Sequence, residues 1–208
     1  MLTNVPPTPP DAWVTFQDEA QFEGRPEIAL LSENLGADYL GWAGFQGNLA
    51  IAVAPGALLK ALGLLCDRLS YDHLSFMTVV HWPETPKEAF QLAYELFSRQ
   101  NATWVRIKCF LPHSPNPHIA TATTVYPAAD WHECEAYDLF GVTFDGHPNL
   151  RRLLTPGMYD EFPLRRDFPL DGEALREFQK RLIGQWNTET DHDWKGSLDD
   201  KWVDRQNS

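Results

Sequence analysis

Apolar residues fall at two spacings along this chain, and the switch from one to the other marks its elements. Phe90, Leu92, Tyr94 and Leu96 alternate with Gln91, Ala93 and Glu95, the period of two that a half-buried strand shows. Val105, Ile107 and Cys109 repeat that pattern against Arg106 and Lys108, which predicts a strand over Thr103–Phe110 with its two cations on a solvated sheet face. Ser98–Asn101 is the turn between them. Leu49–Val53 reads as a short apolar strand, and Leu74–Trp82 as a buried one. Between those two runs the spacing lengthens to three and four at Leu58, Leu62, Leu65 and Leu69. That predicts an amphipathic helix of about four turns, with Pro55 suited to its first position and Cys66 packed beside its stripe.

A second helix opens at Pro127 and ends at Gly141, and Pro26–Leu35 forms a shorter one ending near Gly36. Asp171 can cap a further helix through Ala174–Gln185, striped by Leu175, Phe178, Leu182 and Ile183. The central order β-α-β-β-β-α predicts an α+β fold, an antiparallel or mixed sheet of about three to four strands covered by helices. An irregular, proline-rich C-terminal extension follows it. Four regions are expected: an acidic, partly extended lead-in over 1–47, the α+β domain over 48–141, a docking segment over 142–170, and a helix with an acidic tail over 171–208.

Composition narrows the function. The 208 residues carry a formal net charge of −12, which disfavours a nucleic-acid or anionic-lipid surface and suits basic protein partners. No apolar run reaches the roughly 20 residues of a membrane span, and the start, with Pro6, Pro7, Pro9 and Pro10, does not resemble a signal peptide. Cys66, Cys109 and Cys134 are odd in number and far apart, so neither a disulfide framework nor a CxxC metal or cluster motif is expected. The simplest setting is a reducing compartment.

The chemistry concentrates in Trp131–Leu170. Glu133, Glu135 and Asp138 crowd a segment without Lys or Arg, and Arg151, Arg152, Arg165 and Arg166 follow, with His147, Pro148 and Asp167 beside them. At about 100° per residue, Trp131, Glu135 and Asp138 share one side of the helix, and Asp130, Glu133 and Tyr137 another. Carboxylates and aromatics thus surround the whole circumference, which predicts a helix enclosed on most sides. Buried carboxylates need partners, and the four arginines are the nearest cations in sequence.

Other readings stay open. Glu135 and Asp138 can form a catalytic pair, or ligate a metal with His132 or His147. The arginines can hold a phosphate, although no glycine-rich loop accompanies them. HECE is not a zinc-protease HExxH, because Ala136 stands where the second histidine belongs. His113 and His118 lie in a proline-rich loop that fixes no metal geometry. A freestanding carboxylate- or metal-dependent hydrolase is the alternative from a different class. A salt-bridged framework, partly open to a partner, is the reading the residues favour.

The same block carries a resemblance. It runs Glu133, Glu135, Tyr137-Asp138-Leu139-Phe140-Gly141, His147-Pro148-Asn149-Leu150-Arg151-Arg152, and Pro163-Leu164-Arg165-Arg166-Asp167-Phe168-Pro169. In this it resembles the C subunit of the proton-pumping NADH:quinone oxidoreductase, respiratory complex I, over about residues 55–170. Cys134 departs from that pattern, standing where the family usually has arginine, and so does His81, where many members have aspartate. The resemblance implies a structural, non-redox subunit of the peripheral arm, supporting assembly and the quinone site while electron transfer drives proton translocation. It implies no active site, metal or cofactor in this chain, with NADH, FMN, iron–sulfur clusters and quinone held by other subunits. Partners would be the D-like quinone-site protein and the iron–sulfur subunits, on the cytoplasmic face of the plasma or inner membrane. The same module occurs in related membrane-bound hydrogenases and in ferredoxin- or deazaflavin-linked dehydrogenases.

Overall fold

The computed structural model describes residues 22, 24–45, 47–155, 159, 161–168, 180–181 and 183–184. The chain divides into two compact units, Met1–Leu154 with Phe162–Arg166, and Thr155–Glu161 with Asp167–Ser208. The first holds the sheets and the three helices labelled below.

Its centre is a five-stranded sheet in the order β1-β2-β5-β4-β3. The strands are β1 (Tyr39–Phe45), β2 (Asn48–Val53), β3 (His73–His81), β4 (Phe90–Ser98) and β5 (Thr103–Leu111). Neighbours pair antiparallel except β2 and β5, which run parallel from Ala50↔Arg106 to Val53↔Cys109. The sheet is therefore mixed, and the fold α+β. β1 is the strand that alternation does not reveal, because Gly41 and Gly44 interrupt its apolar residues.

The inner face carries Ile51 and Val53, Met77 and Val79, Phe90, Leu92, Tyr94 and Leu96, and Val105, Ile107 and Cys109, all buried. Among the described residues, α1 (Pro26–Leu35), α2 (Leu58–Leu69) and α3 (Ala129–Phe140) accompany it. α2 contributes Leu58, Ala61, Leu62 and Leu65 to the core, with Leu69 and Cys66 partly buried at its edge. It stops where Ser70 takes the left-handed conformation and its N–H returns to the Leu65 carbonyl.

Two expectations need correction here. β3 is buried on one face alone: a register shift between Leu74 and Phe76 keeps Leu74, Met77, Val79 and His81 inside but leaves Phe76 49% exposed. The outer face at Arg106 and Lys108 is not freely solvated. Arg106 Nε donates to the cross-strand Glu95 carboxylate at 2.6 Å, Phe97 and Trp104 rings lie 4.4 Å apart, and burial pushes the Lys108 ammonium pKa down.

α1 is tied to the sheet by a buried polar knot. The Tyr71 hydroxyl donates to the Glu27 carboxylate at 2.5 Å, and Arg25 closes on the same carboxylate with two bonds of 2.9 and 3.0 Å. Burial opposes ionisation of Glu27, yet bonds from Arg25 and Tyr71 outweigh it and hold the carboxyl below its usual range. The Tyr71 phenol is pushed up to about 12, by burial first and by Glu27 second. Tyr71→Phe is expected to cost about 1.5–3 kcal/mol, the usual worth of a hydrogen bond to a charged group, read from urea unfolding of the whole chain. Because the Glu27 pKa is lower folded than unfolded, its contribution is present above the ordinary glutamate range and fades as pH falls through the depressed value.

A second, two-stranded parallel sheet pairs β6 (His118–Ala120) with β7 (Thr143–Asp145). α3 is the crossover between them. This small unit brings Thr121 and His147 to the same side of α3.

In the second unit, Glu161 and Arg181 form an ion pair at 3.2 Å, and residues 180, 181, 183 and 184 are helical. The rest of the helix expected over Ala174–Gln185, the lead-in over 1–11 and the tail beyond Asn187 lie outside the described residues.

Candidate docking site on the third helix

Ala129, Glu133, Ala136 and Phe140 recur at four- and three-residue spacing, and all are buried. That stripe faces the core, with a carboxylate in the middle of it. Cys134 and Asp138 form an adjacent buried row.

Glu133 is 0% exposed. Its oxygens accept from the Thr121 hydroxyl at 2.5 Å and the Ala122 amide at 2.7 Å. Burial dominates all the same and raises the Glu133 pKa, with those two bonds working against it. The same charge, after burial, helps hold the Tyr94 phenol well above its ordinary range. Charge pairing predicts arginine as the partner of this carboxylate, but its seat is a hydroxyl and an amide contributed by the turn after β6. Thr121 and Thr123 are the polar residues that announce that turn, a signal that apolar spacing does not pick out.

Asp138, also 0% exposed, matches the expectation of a guanidinium partner. Its Oδ1 accepts from Arg152 Nη1 at 3.0 Å, and its Oδ2 from the Leu153 and Leu154 amides at 2.9 and 2.6 Å. One carboxylate thus folds the 151–154 segment back along the helix that carries it.

The C-terminus of α3 is closed by the second arginine pair. Gly141 ends the helix at φ +72°, and a Cβ there would meet the Phe162 ring at 2.5 Å and Arg165 Nη2 at 2.7 Å. Only glycine meets both demands. Into that space Arg165 sends Nε to the Phe140 carbonyl at 2.6 Å, its guanidinium lying 4.5 Å from the Phe162 ring centroid. A cation on a terminal helix carbonyl also complements the helix dipole. The Leu164 amide donates to the Leu139 carbonyl at 3.1 Å. Next to it the Arg166 amide donates to Nδ1 of buried His81, and its guanidinium lies 4.4 Å from the Trp82 ring centroid. His81 therefore anchors the signature segment to the sheet edge, a role its isolated position in sequence does not suggest.

The remaining expected residues fall on the surface or the loop. Trp131 is 58% exposed, with Arg151 lying 5.8 Å over its ring. Glu135 is half-buried, and its carboxylate makes no hydrogen bond or ion pair to another described residue. The His147 side chain is fully buried: Nε2 sits 3.1 Å from Asp130 Oδ1, and Nδ1 accepts from the Asn149 amide. Pro148 is exposed beside it, and Asp167 is exposed in the second unit.

Exposed apolar side chains gather around this helix. Of the seven large exposed hydrophobics among the described residues, Trp131 lies on α3, Leu154 and Leu164 are bonded to it through their amides, and Phe76 packs edge-on to His132. No helix among the described residues is long and apolar enough to cross a membrane.

Comparison with known proteins gives this geometry a family. The sequence model described as "Respiratory-chain NADH dehydrogenase, 30 Kd subunit" matches residues 51–174, more than half of the chain. The chain belongs to that family. Among its relatives, the C 2 subunit of NADH-quinone oxidoreductase from Rhizobium meliloti (strain 1021) is 42% identical over 143 residues, 67% of this chain and 72% of that protein. The C subunit of NADH-quinone oxidoreductase from Xanthomonas oryzae pv. oryzae (strain PXO99A) is 33% identical over 176 residues, 82% of this chain and 68% of that protein. A chain of the membrane-bound sulfane sulfur reductase, an archaeal respiratory membrane complex, shares the fold at TM-score 0.55 and 22% identity, covering 74% of this chain and 88% of that one. The matched span, residues 51–174, contains α3 and the arginine segments that follow it.

Proposed function

We propose that this chain is a structural, non-redox subunit in the peripheral arm of a complex I-type NADH:quinone oxidoreductase. It docks on a quinone-site subunit through α3 and the two arginine segments, and holds that neighbour's elements in place during electron transfer coupled to proton translocation. NADH, FMN, iron–sulfur clusters and quinone belong to other subunits in this reading, and attachment to the cytoplasmic face of the membrane is indirect. The observation that carries it is the apolar rim of Trp131, Leu154, Leu164 and Phe76 around a helix whose buried carboxylates are all occupied with folding. Apolar surface gathered on one face marks an interaction site, and Glu135 adds to it a carboxylate that no described residue pairs. Glu135 and Asp138 do not suit a catalytic pair, because Asp138 is spent on Arg152 and two amides.

The test is recovery of the tagged protein from its own membranes in mild detergent, followed by mass spectrometry with flavin and iron assays. Iron–sulfur and membrane subunits are expected in the eluate, and their identities name the electron donor. Trp131→Ser combined with Leu154→Ser is expected to cut co-recovery at least tenfold, with the melting temperature of the isolated chain unchanged. A stable monomer recovered alone at native expression overturns the reading and returns the carboxylates to consideration as a hydrolytic site. The fold shared with the sulfane sulfur reductase chain supports the wider module, and a hydrogenase or ferredoxin partner in the eluate would assign this chain there instead.

A further inference from the structure

Beside Glu133 lies a group of three side chains with different donor atoms. Asp130 and Cys134 are four residues apart on α3, so they stand on the same face of the helix. His147 reaches the same point from the loop after β7. Cys134 Sγ is 4.0 Å from His147 Nε2, which is 3.1 Å from Asp130 Oδ1, and the three ligand atoms all lie within 4.8 Å of one another. Four-coordinate zinc, with bonds of about 2.0–2.3 Å, holds its ligand atoms about 3.3–3.6 Å apart. The two measured pairs need shifts of about half an ångström or less to reach that spacing, and the Asp130–Cys134 pair, within 4.8 Å, closes by at most about 1.3 Å.

We propose that Asp130, Cys134 and His147 bind a thiophilic divalent cation, with Zn2+ as the natural occupant and a water in its fourth position.

The donor set decides the class of metal. Thiolate and imidazole select zinc and its neighbours, whereas calcium and magnesium take oxygen ligands. The surroundings favour a cation as well, since the Asp130 and Glu133 carboxylates both approach His147 Nε2, at 3.1 and 3.9 Å. Access is one-sided. The Asp130 side chain is 42% exposed while that of His147 is 0% exposed, so an ion enters past the aspartate.

The protons set the strength. The Asn149 amide donates to His147 Nδ1 at 3.1 Å, which places the ring proton on Nε2, facing Asp130. Metal at Nε2 moves that proton to Nδ1 and displaces the Asn149 amide, while the Cys134 thiol proton leaves to solvent. One proton is therefore released per cation, and the 147–149 loop shifts, so affinity falls below that of a preorganised site. A cysteine nucleophile fits less well. Sulfur and carboxylate both meet the same ring nitrogen, whereas a nucleophile–histidine–acid relay needs them on opposite nitrogens.

The experiment is a Co2+ titration of the purified full-length chain, followed by absorbance and by displacement with Zn2+. A sulfur-to-cobalt charge-transfer band saturating at one equivalent is expected, bleached by Zn2+ and retained in Cys66→Ser. Cys134→Ser is expected to abolish the band. Asp130→Asn, at a half-exposed position, is expected to weaken binding about tenfold or more without altering metal-free thermal unfolding. Absence of the band from the unaltered protein overturns the proposal. So does a band that survives Cys134→Ser, or an affinity unchanged in Asp130→Asn.

Discussion

Asp138→Ala is expected to destabilise the isolated chain by about 3–5 kcal/mol, the cost of removing one partner of a buried ion pair. The carboxylate is 0% exposed and Arg152, its partner at 3.0 Å, is 13% exposed, so solvent screens the pair little. The substitution removes the carboxylate that faces Arg152 at 3.0 Å and that accepts from the Leu153 and Leu154 amides. Urea unfolding measures the loss directly. Asp138→Asn separates the terms, because it keeps an oxygen for one or both amides while removing the charge, and its cost should be smaller. In membranes the same substitution should lower the amount of assembled complex. Normal assembly with lost activity would mean that Asp138 takes part in the chemistry itself.

Glu133→Ala comes second, at about 2–4 kcal/mol, because it strands the Ala122 amide and one Thr121 bond in a buried site. Glu133→Gln adds a pH signature. The folded Glu133 pKa is raised, so ionisation is less favourable folded than unfolded, and the group costs stability once pH exceeds the raised value. Stability of the parent relative to Glu133→Gln should therefore improve as pH falls through that raised pKa. Glu27 and Asp72, whose carboxyls are held low, shift stability in the opposite direction, and they cancel because both proteins carry them. A difference that stays flat across this range would show that Glu133 ionises as readily folded as unfolded.

Much of the architecture could be read from spacing, and the exceptions have physical causes. Alternation at Phe90–Leu96 and Val105–Cys109 gave the central hairpin, and Pro and Gly gave the ends of α1 and α3. β1 escaped because its pattern is broken by glycines, and β6 and β7 because three residues each are too few to show a period. On α3, helical angle grouped Trp131 with Asp138, yet one is exposed and the other buried, because the cover over Asp138 is the chain's own 152–154 segment. Angle alone does not carry that information. Arg152 with Asp138 could be anticipated from charge, whereas the seat of Glu133 lies in a Thr-Ala pair that has no charge to betray it.

The two arginine segments are tied down across very different stretches of chain, the first to α3 and the second also to β3. Asp138 holds Arg152, Leu153 and Leu154 across 14 to 16 residues, but the Arg166 amide meets His81 across 85. Loop closure makes the first contact early and the second late. The Arg166 amide should gain protection from hydrogen exchange no sooner than the β3 edge it rests on. On the function proposed above, the docking face is then completed only on a chain whose sheet has already closed, so a half-made copy released from the ribosome would offer its neighbours an unfinished surface. Assembly acquires a form of proofreading in time, written into the order in which contacts along one chain can form.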